Sequence, residues 1–230
     1  MKLTTAQLMR WAGLPATAAG LLFIIIQIVH PPDILSSVAT GRWVVVHLLG
    51  QAMSLFALLG ITGIYAVQAE KAGWLGLAGY LLFGLFWALT MAFQFTEAFV
   101  LPVLATEAPR FVEGWLGIVK GSGSEIDLGA LQTVNALTGF VGYVLGGLLL
   151  GIATLRARIL PRWAGGLLAI AALSVLGAPL LGHPLDRLLA MPMGLALAWL
   201  GFALWSGRRE TVPGGLPTRA SPERSQTGAR

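Results

Sequence analysis

The sequence predicts an all-α fold, a polytopic membrane bundle of six transmembrane helices, and three observations carry that expectation. Of 230 residues, 56% are hydrophobic, only 11% are charged, and the apolar residues gather into six runs separated by polar turns. A soluble domain carries about 25% charged residues, and about 20 apolar helical residues cross a hydrocarbon core of about 30 Å. A net charge of +5 and a pI near 10.2 would suit a nucleic-acid surface. Here, however, the basic residues stand at the ends of apolar runs and act as topology signals, so the bilayer is the expected partner and nucleic acid is not. Cysteine is absent, which excludes disulfides, thiolate metal ligands and cysteine nucleophiles and leaves any such chemistry to His and carboxylates.

The first expected span covers residues 11–29. Lys2 and Arg10 precede it and Ser37-Val38-Ala39 has the form of a small-residue cleavage site, but that site lies beyond Pro31 and Pro32. The segment therefore reads as a signal anchor and not as a cleaved peptide. The second and third spans cover 43–68 and 74–101. Residues 109–120 then place Phe111, Val112, Trp115, Leu116, Ile118 and Val119 on one helical face, with Arg110, Glu113, Gly117 and Lys120 on the other. This is the pattern of an amphipathic helix lying at the outer interface, and Gly121-Ser122-Gly123-Ser124 links it flexibly to the next span.

The fourth span covers 129–155 and carries Gly142 and Gly146, then Gly147 and Gly151, at four-residue spacing. Small residues let helix backbones approach closely, which marks this helix as a packing spine or as the face of a homo-oligomer or membrane-protein partner. The fifth and sixth spans cover 163–181 and 188–205, and Pro15, Pro179 and Pro192 predict kinks within their helices. Residues 207–230 turn to Arg, Glu, Pro, Gly, Ser and Thr, the composition of a disordered tail.

Orientation follows from the basic residues. With the N-terminus in the cytoplasm, Lys2, Arg10, Lys71, Arg156, Arg158, Arg162, Arg208 and Arg209 lie inside, while Arg42, Arg110, Lys120 and Arg187 lie outside. Both termini are expected to be cytoplasmic. Trp11-Ala12-Gly13, Trp74-Leu75-Gly76 and Trp163-Ala164-Gly165 open three outgoing spans alike, which suggests three related helical hairpins.

Polar side chains inside a membrane are costly, so their depth is informative. They cluster in the outer half: Gln27 and His30 end the first span, His47 and Gln51 begin the second, Gln94 and Glu97 end the third, and Gln132 and Asn135 begin the fourth. Each pair is three or four residues apart and so shares a helix face. Gln27, His47, Gln51, Gln94, Glu97, Gln132 and Asn135 are thus the candidate lining of an outward-facing polar pocket. His30, His47, His183 and Glu97 are the candidate metal ligands, because zinc accepts imidazole and carboxylate together. No cofactor is expected from a recognisable motif. A bis-histidine haem would need opposed histidines, and no G-x-S-x-G, Walker, H-E-x-x-H or EF-hand pattern occurs.

The stretch Leu155-Arg156-Ala157-Arg158-Ile159-Leu160-Pro161-Arg162-Trp163-Ala164-Gly165 resembles a helix junction of uncharacterised families of small bacterial multi-helix membrane proteins. The resemblance implies a bacterial inner-membrane location and brings no activity or site residues. Three readings remain open. The chain binds or moves a small or lipid-like ligand through the polar pocket; it is a metal-dependent intramembrane enzyme using His47 and Glu97; or it is a structural subunit docked through its fourth span.

Overall fold

Thr4 opens the first helix through a capping box, its hydroxyl accepting from the Gln7 backbone N–H while the Gln7 side chain returns to the Thr4 backbone. The helix therefore starts several residues ahead of the apolar run. The structure, a computed structural model, describes residues 4–181 and 185–207; His183, and the expected tail beyond Gly207, lie outside them. Helix α1 is Thr5–Val29, α2 the single turn Leu35–Val38, α3 Gly41–Ala66 and α4 Ala69–Glu107. Helix α5 is Pro109–Lys120, α6 Leu131–Ala157, α7 Arg162–Ser174, α8 Leu185–Leu188 and α9 Met191–Ser206. No strand occurs among the described residues.

Two deviations shape the long helices. Gly73 takes φ 55° and ψ −153° near the start of α4, a backbone setting open to glycine, so Ala69–Ala72 turns away from the helix axis. Farther along, α4 and α6 widen into π-helical segments at Thr96–Val100 and Thr138–Leu145.

Helices α1, α3, α4 and α6 are long and apolar enough to cross a membrane; α7 and α9 are apolar but shorter. The physical reason is visible at their ends. Helix α7 tightens into a 3-10 segment at Val175–Leu180, and α9 starts abruptly with Pro192 in its first turn, leaving 16 residues that rise about 24 Å at 1.5 Å each.

The six apolar helices form a closed ring in the order α1, α3, α4, α6, α7, α9, with α9 packing back on α1. Closure rests on glycine. The backbones of Gly13 and Gly201 meet, as do those of Gly20 and Gly194, so α1 and α9 run antiparallel in direct main-chain contact. Ala57, Ile61, Phe83, Trp87, Leu168, Met193 and Leu197 fill the interior with no exposed surface. Around the outside Leu21, Ile25, Leu55, Leu81, Leu85 and Ile170 are exposed, an apolar belt far larger than a soluble monomer shows and compatible with a membrane location. Trp11, Trp74, Trp163 and Trp205 are exposed at one end of the ring, the placement of interfacial aromatics.

At the opposite end, which His47 marks, a second core joins Val38, Trp43, Leu101, Val112, Trp115 and Leu116. The apolar residues of α5 are thus directed at the protein itself. Gly117, expected on the polar face, is buried because the loop after α5 folds back and sets Gly123 against it.

Candidate functional site

The site starts from Thr40, whose hydroxyl accepts from the Trp43 N–H and begins α3. One helical turn separates Trp43 from His47, so both rings fall on one face, 4.2 Å apart at their centroids. The His47 Nδ1 is 2.7 Å from the Trp43 carbonyl oxygen. A carbonyl only accepts, so the proton sits on Nδ1. The other ring nitrogen, Nε2, stands 3.3 Å from Glu97 Oε2, with the two side chains 2% and 6% exposed. A hydrogen on either the imidazole or the carboxyl group makes a contact at that distance attractive.

Glu97 reaches this position through the π-helical segment. The Leu101 N–H bonds to the Thr96 carbonyl, and Pro102 has no N–H to offer, so the Glu97 carbonyl has no backbone donor within the helix. The Trp43 indole takes that place, donating to Glu97 O at 2.8 Å. The carboxylate is held from the other side by the Trp115 indole N–H, which donates to Oε1 at 3.3 Å. Helix α5 therefore roofs the pair and is bonded to it. π-helical segments are frequent at functional sites.

A chain of polar groups continues outward. The His30 ring lies edge-on to His47 at 5.1 Å and to Trp43 at 5.8 Å. Its Nδ1 is 2.6 Å from the Pro31 carbonyl and 3.8 Å from Asp33 Oδ1, and Asp33 Oδ2 accepts from Arg187 at 2.7 Å. Arg42 donates twice to the Val29 carbonyl at 3.1 and 2.8 Å, closing the end of α1.

The predicted site residues separate into groups. His47, Glu97 and His30 come together. Gln27, Gln51 and Gln94 are half-buried one turn deeper, with the Gln94 amide lying over Gly50; none of the three forms a hydrogen bond among the described residues. Asn135 leaves the belt and donates to the Ile118 carbonyl at 3.2 Å, tying α6 to the end of α5. Gln132 is exposed and lines, with Arg110, Glu113 and Lys120, a separate polar cleft beside α5.

The four glycines of α6 face this chain's own helices. A Cβ on Gly142 or Gly146 would meet Phe86 or Phe83 of α4, and one on Gly147 or Gly151 would meet Ala172 or Ala169 of α7. Helix α6 is thus clasped on two sides by backbone contact.

No group of three or more His, Cys, Asp or Glu in metal-holding array occurs among the described residues. His47 and Glu97 offer two donors, and their 3.3 Å separation equals the edge of a tetrahedron with bonds of about 2.0–2.1 Å. A haem between His30 and His47 would have to part rings already in contact.

The residues that pattern reading passed over are Trp115, read as a lipid-side apolar residue, and Asp33, Arg187 and Pro102. Pro102 carried a signal that the expected end of the span at residue 101 hid: a helix that runs on through a proline lacks one backbone donor and must rearrange locally. Trp115 carried none, because indole donors look like any apolar residue in a hydropathy pattern. No protein-family model matches the chain, and no curated protein or solved structure matches it.

Proposed function

We propose that the chain is a multi-pass integral membrane protein of a bacterial inner membrane, with six spans and both termini in the cytoplasm. On this reading it binds or moves a small or lipid-like ligand through the polar site at its outer end. The observation that carries the reading is the His47–Glu97 pair, two ionisable side chains in contact and withdrawn from solvent. Ionisable groups at such depth are costly and mark ligand or proton pathways by default.

The geometry supplies a mechanism. A ligand that presents a cationic or hydrogen-bond-donating group to Glu97 competes with His47 for the carboxyl oxygen Oε2, which His47 Nε2 faces at 3.3 Å. The half-buried Gln27, Gln51 and Gln94, one turn deeper, add amide donors and acceptors for such a ligand.

The test is a thermal-stability screen of the purified protein in mild detergent against small amines, amino acids and lipid headgroup analogues. A true ligand raises the melting temperature of the native protein and leaves His47→Ala and Glu97→Gln unmoved. Stabilisation retained in both variants would remove the pair from the site. For orientation, a cysteine at Ser122 is unique in this chain, and an impermeant maleimide should label it from outside intact cells; labelling only in inverted vesicles would reverse the topology.

A second reading rests on the 3.3 Å separation of His47 and Glu97, which suits two ligands of one tetrahedral zinc. Elemental analysis of protein purified without a histidine tag decides it: stoichiometric zinc lost in His47→Ala supports a metal-dependent enzyme, and metal-free protein supports the ligand-binding reading.

A further inference from the structure

Between α6 and α7, in the half of the ring nearer His47, the wall is open. A cleft of about 370 Å³ enters there and reaches through to Phe23 of α1 and Phe86 of α4. Its mouth is formed by Gly139, Phe140 and Leu176, all exposed, while Phe23 and Tyr143 at its walls are 7% and 6% exposed. The π-helical segment Thr138–Leu145 provides the α6 side of the opening.

Three physical arguments narrow the occupant. Water is excluded, because a buried water needs two to four polar partners and Tyr143 brings the one polar side-chain atom of the lining, a hydroxyl that is itself buried. A helix is excluded by size, since with its side chains it measures about 10–12 Å across. An empty cleft forfeits the dispersion contacts of four aromatic rings. What remains is a thin apolar chain, and the mouth opens on the apolar belt, where acyl chains are the surrounding medium. Pockets of this volume suit small ligands.

We propose that the cleft holds one hydrocarbon chain of a bilayer lipid, entering sideways between α6 and α7 and lying against the aromatic wall inside the ring. The proposal rests on the bilayer placement given above and is independent of the His47–Glu97 site. Gly139 is the natural position for a plug: a Cβ built there meets nothing within 4 Å, so Gly139→Leu starts from open space and sets its branched side chain at the mouth.

The experiment uses the full chain in phosphatidylcholine vesicles, part of the lipid carrying a diazirine at the end of one acyl chain. After irradiation, labelled residues are mapped by mass spectrometry. The expected result is label on Phe23 and Tyr143, which annular lipid cannot touch, together with label on belt residues such as Leu85 and Ile170. In Gly139→Leu the label on Phe23 and Tyr143 should fall at least tenfold while the belt label persists, the latter showing that the variant is folded and inserted. Label confined to the belt in the native protein, or equal interior label in Gly139→Leu, overturns the proposal and leaves the membrane placement standing. Absence of label everywhere overturns both.

Discussion

The middle of the ring and its His47 end hold the same helices together by opposite means. In the middle, α1 meets α9 and α6 meets α4 and α7 through glycine, main chain against main chain. At the His47 end, α3, α4 and α5 are joined through side-chain polar atoms, Trp43 and Trp115 donating to one glutamate and His47 facing it. Lipid supplies little hydrophobic drive between helices, so close backbone packing is the natural glue at depth. A polar network is tolerated where a roof of protein, here α5 through Trp115, supplies the hydrogen bonds that water would otherwise make. The middle is therefore sensitive to size and indifferent to chemistry, and the end is the reverse.

Substitutions sharpen or break that contrast. The largest effect is expected for Gly146→Leu, whose Cβ would stand 2.5 Å from the Phe83 backbone nitrogen. Backbone cannot yield as a side chain can, and the variant should fail to give a monodisperse folded species on size-exclusion chromatography. Gly139→Leu, seven residues earlier on the same helix but facing open space, should behave as the native protein. If the two variants are equally stable, glycine packing is not what holds the ring.

Next in size come His47→Ala and Glu97→Ala. Each removes one side of a buried polar contact, and Glu97→Ala also takes the acceptor from the Trp115 indole, a loss of about 1–3 kcal/mol, read as a fall in melting temperature in detergent. The double variant should cost less than the sum of the two, with a coupling of about 0.5–3 kcal/mol for groups in contact; strict additivity would separate the pair.

Trp115→Phe keeps the ring in the second core and removes the N–H that reaches Glu97. A cost of about 1 kcal/mol is expected, together with faster hydrogen exchange along α5 and unchanged exchange in α6. Unchanged exchange in α5 would mean that the roof is held by apolar packing alone.

The smallest effect is expected at Gln94→Ala and Gln51→Ala, below about 0.6 kcal/mol each, because neither amide has a partner among the described residues. A larger loss would make these amides structural and weaken their assignment to the wall of a ligand site.

Much of the helical layout was legible. Hydropathy located the apolar helices, and spacing put His47, Gln51, Gln94 and Glu97 toward one end, where the structure sets His47 against Glu97. Other features were not. The start of α1 at Thr5 depends on a capping box that lies outside the apolar run. Gln132 and Asn135 share the spacing of the belt residues, yet α6 enters under α5, so one is exposed and the other bonds to Ile118. The pairing of His47 with Glu97 depends on how α4 is rotated, and that rotation changes within the π-helical segment where Pro102 withholds its N–H.

What the sequence by itself determined is local: an all-helical fold of six apolar segments, four of which the structure shows as helices long and apolar enough to cross a membrane, and the ends at which charges and tryptophans collect. These follow from composition along each segment, which hydrocarbon and headgroup layers sort directly. What only the tertiary structure decided is the closure of the ring, the roofing of Glu97 by Trp115 and the opening between α6 and α7. Helices apolar on every side carry no stripe that tells one face from another, so their rotations are set by where neighbouring backbones come close enough to touch.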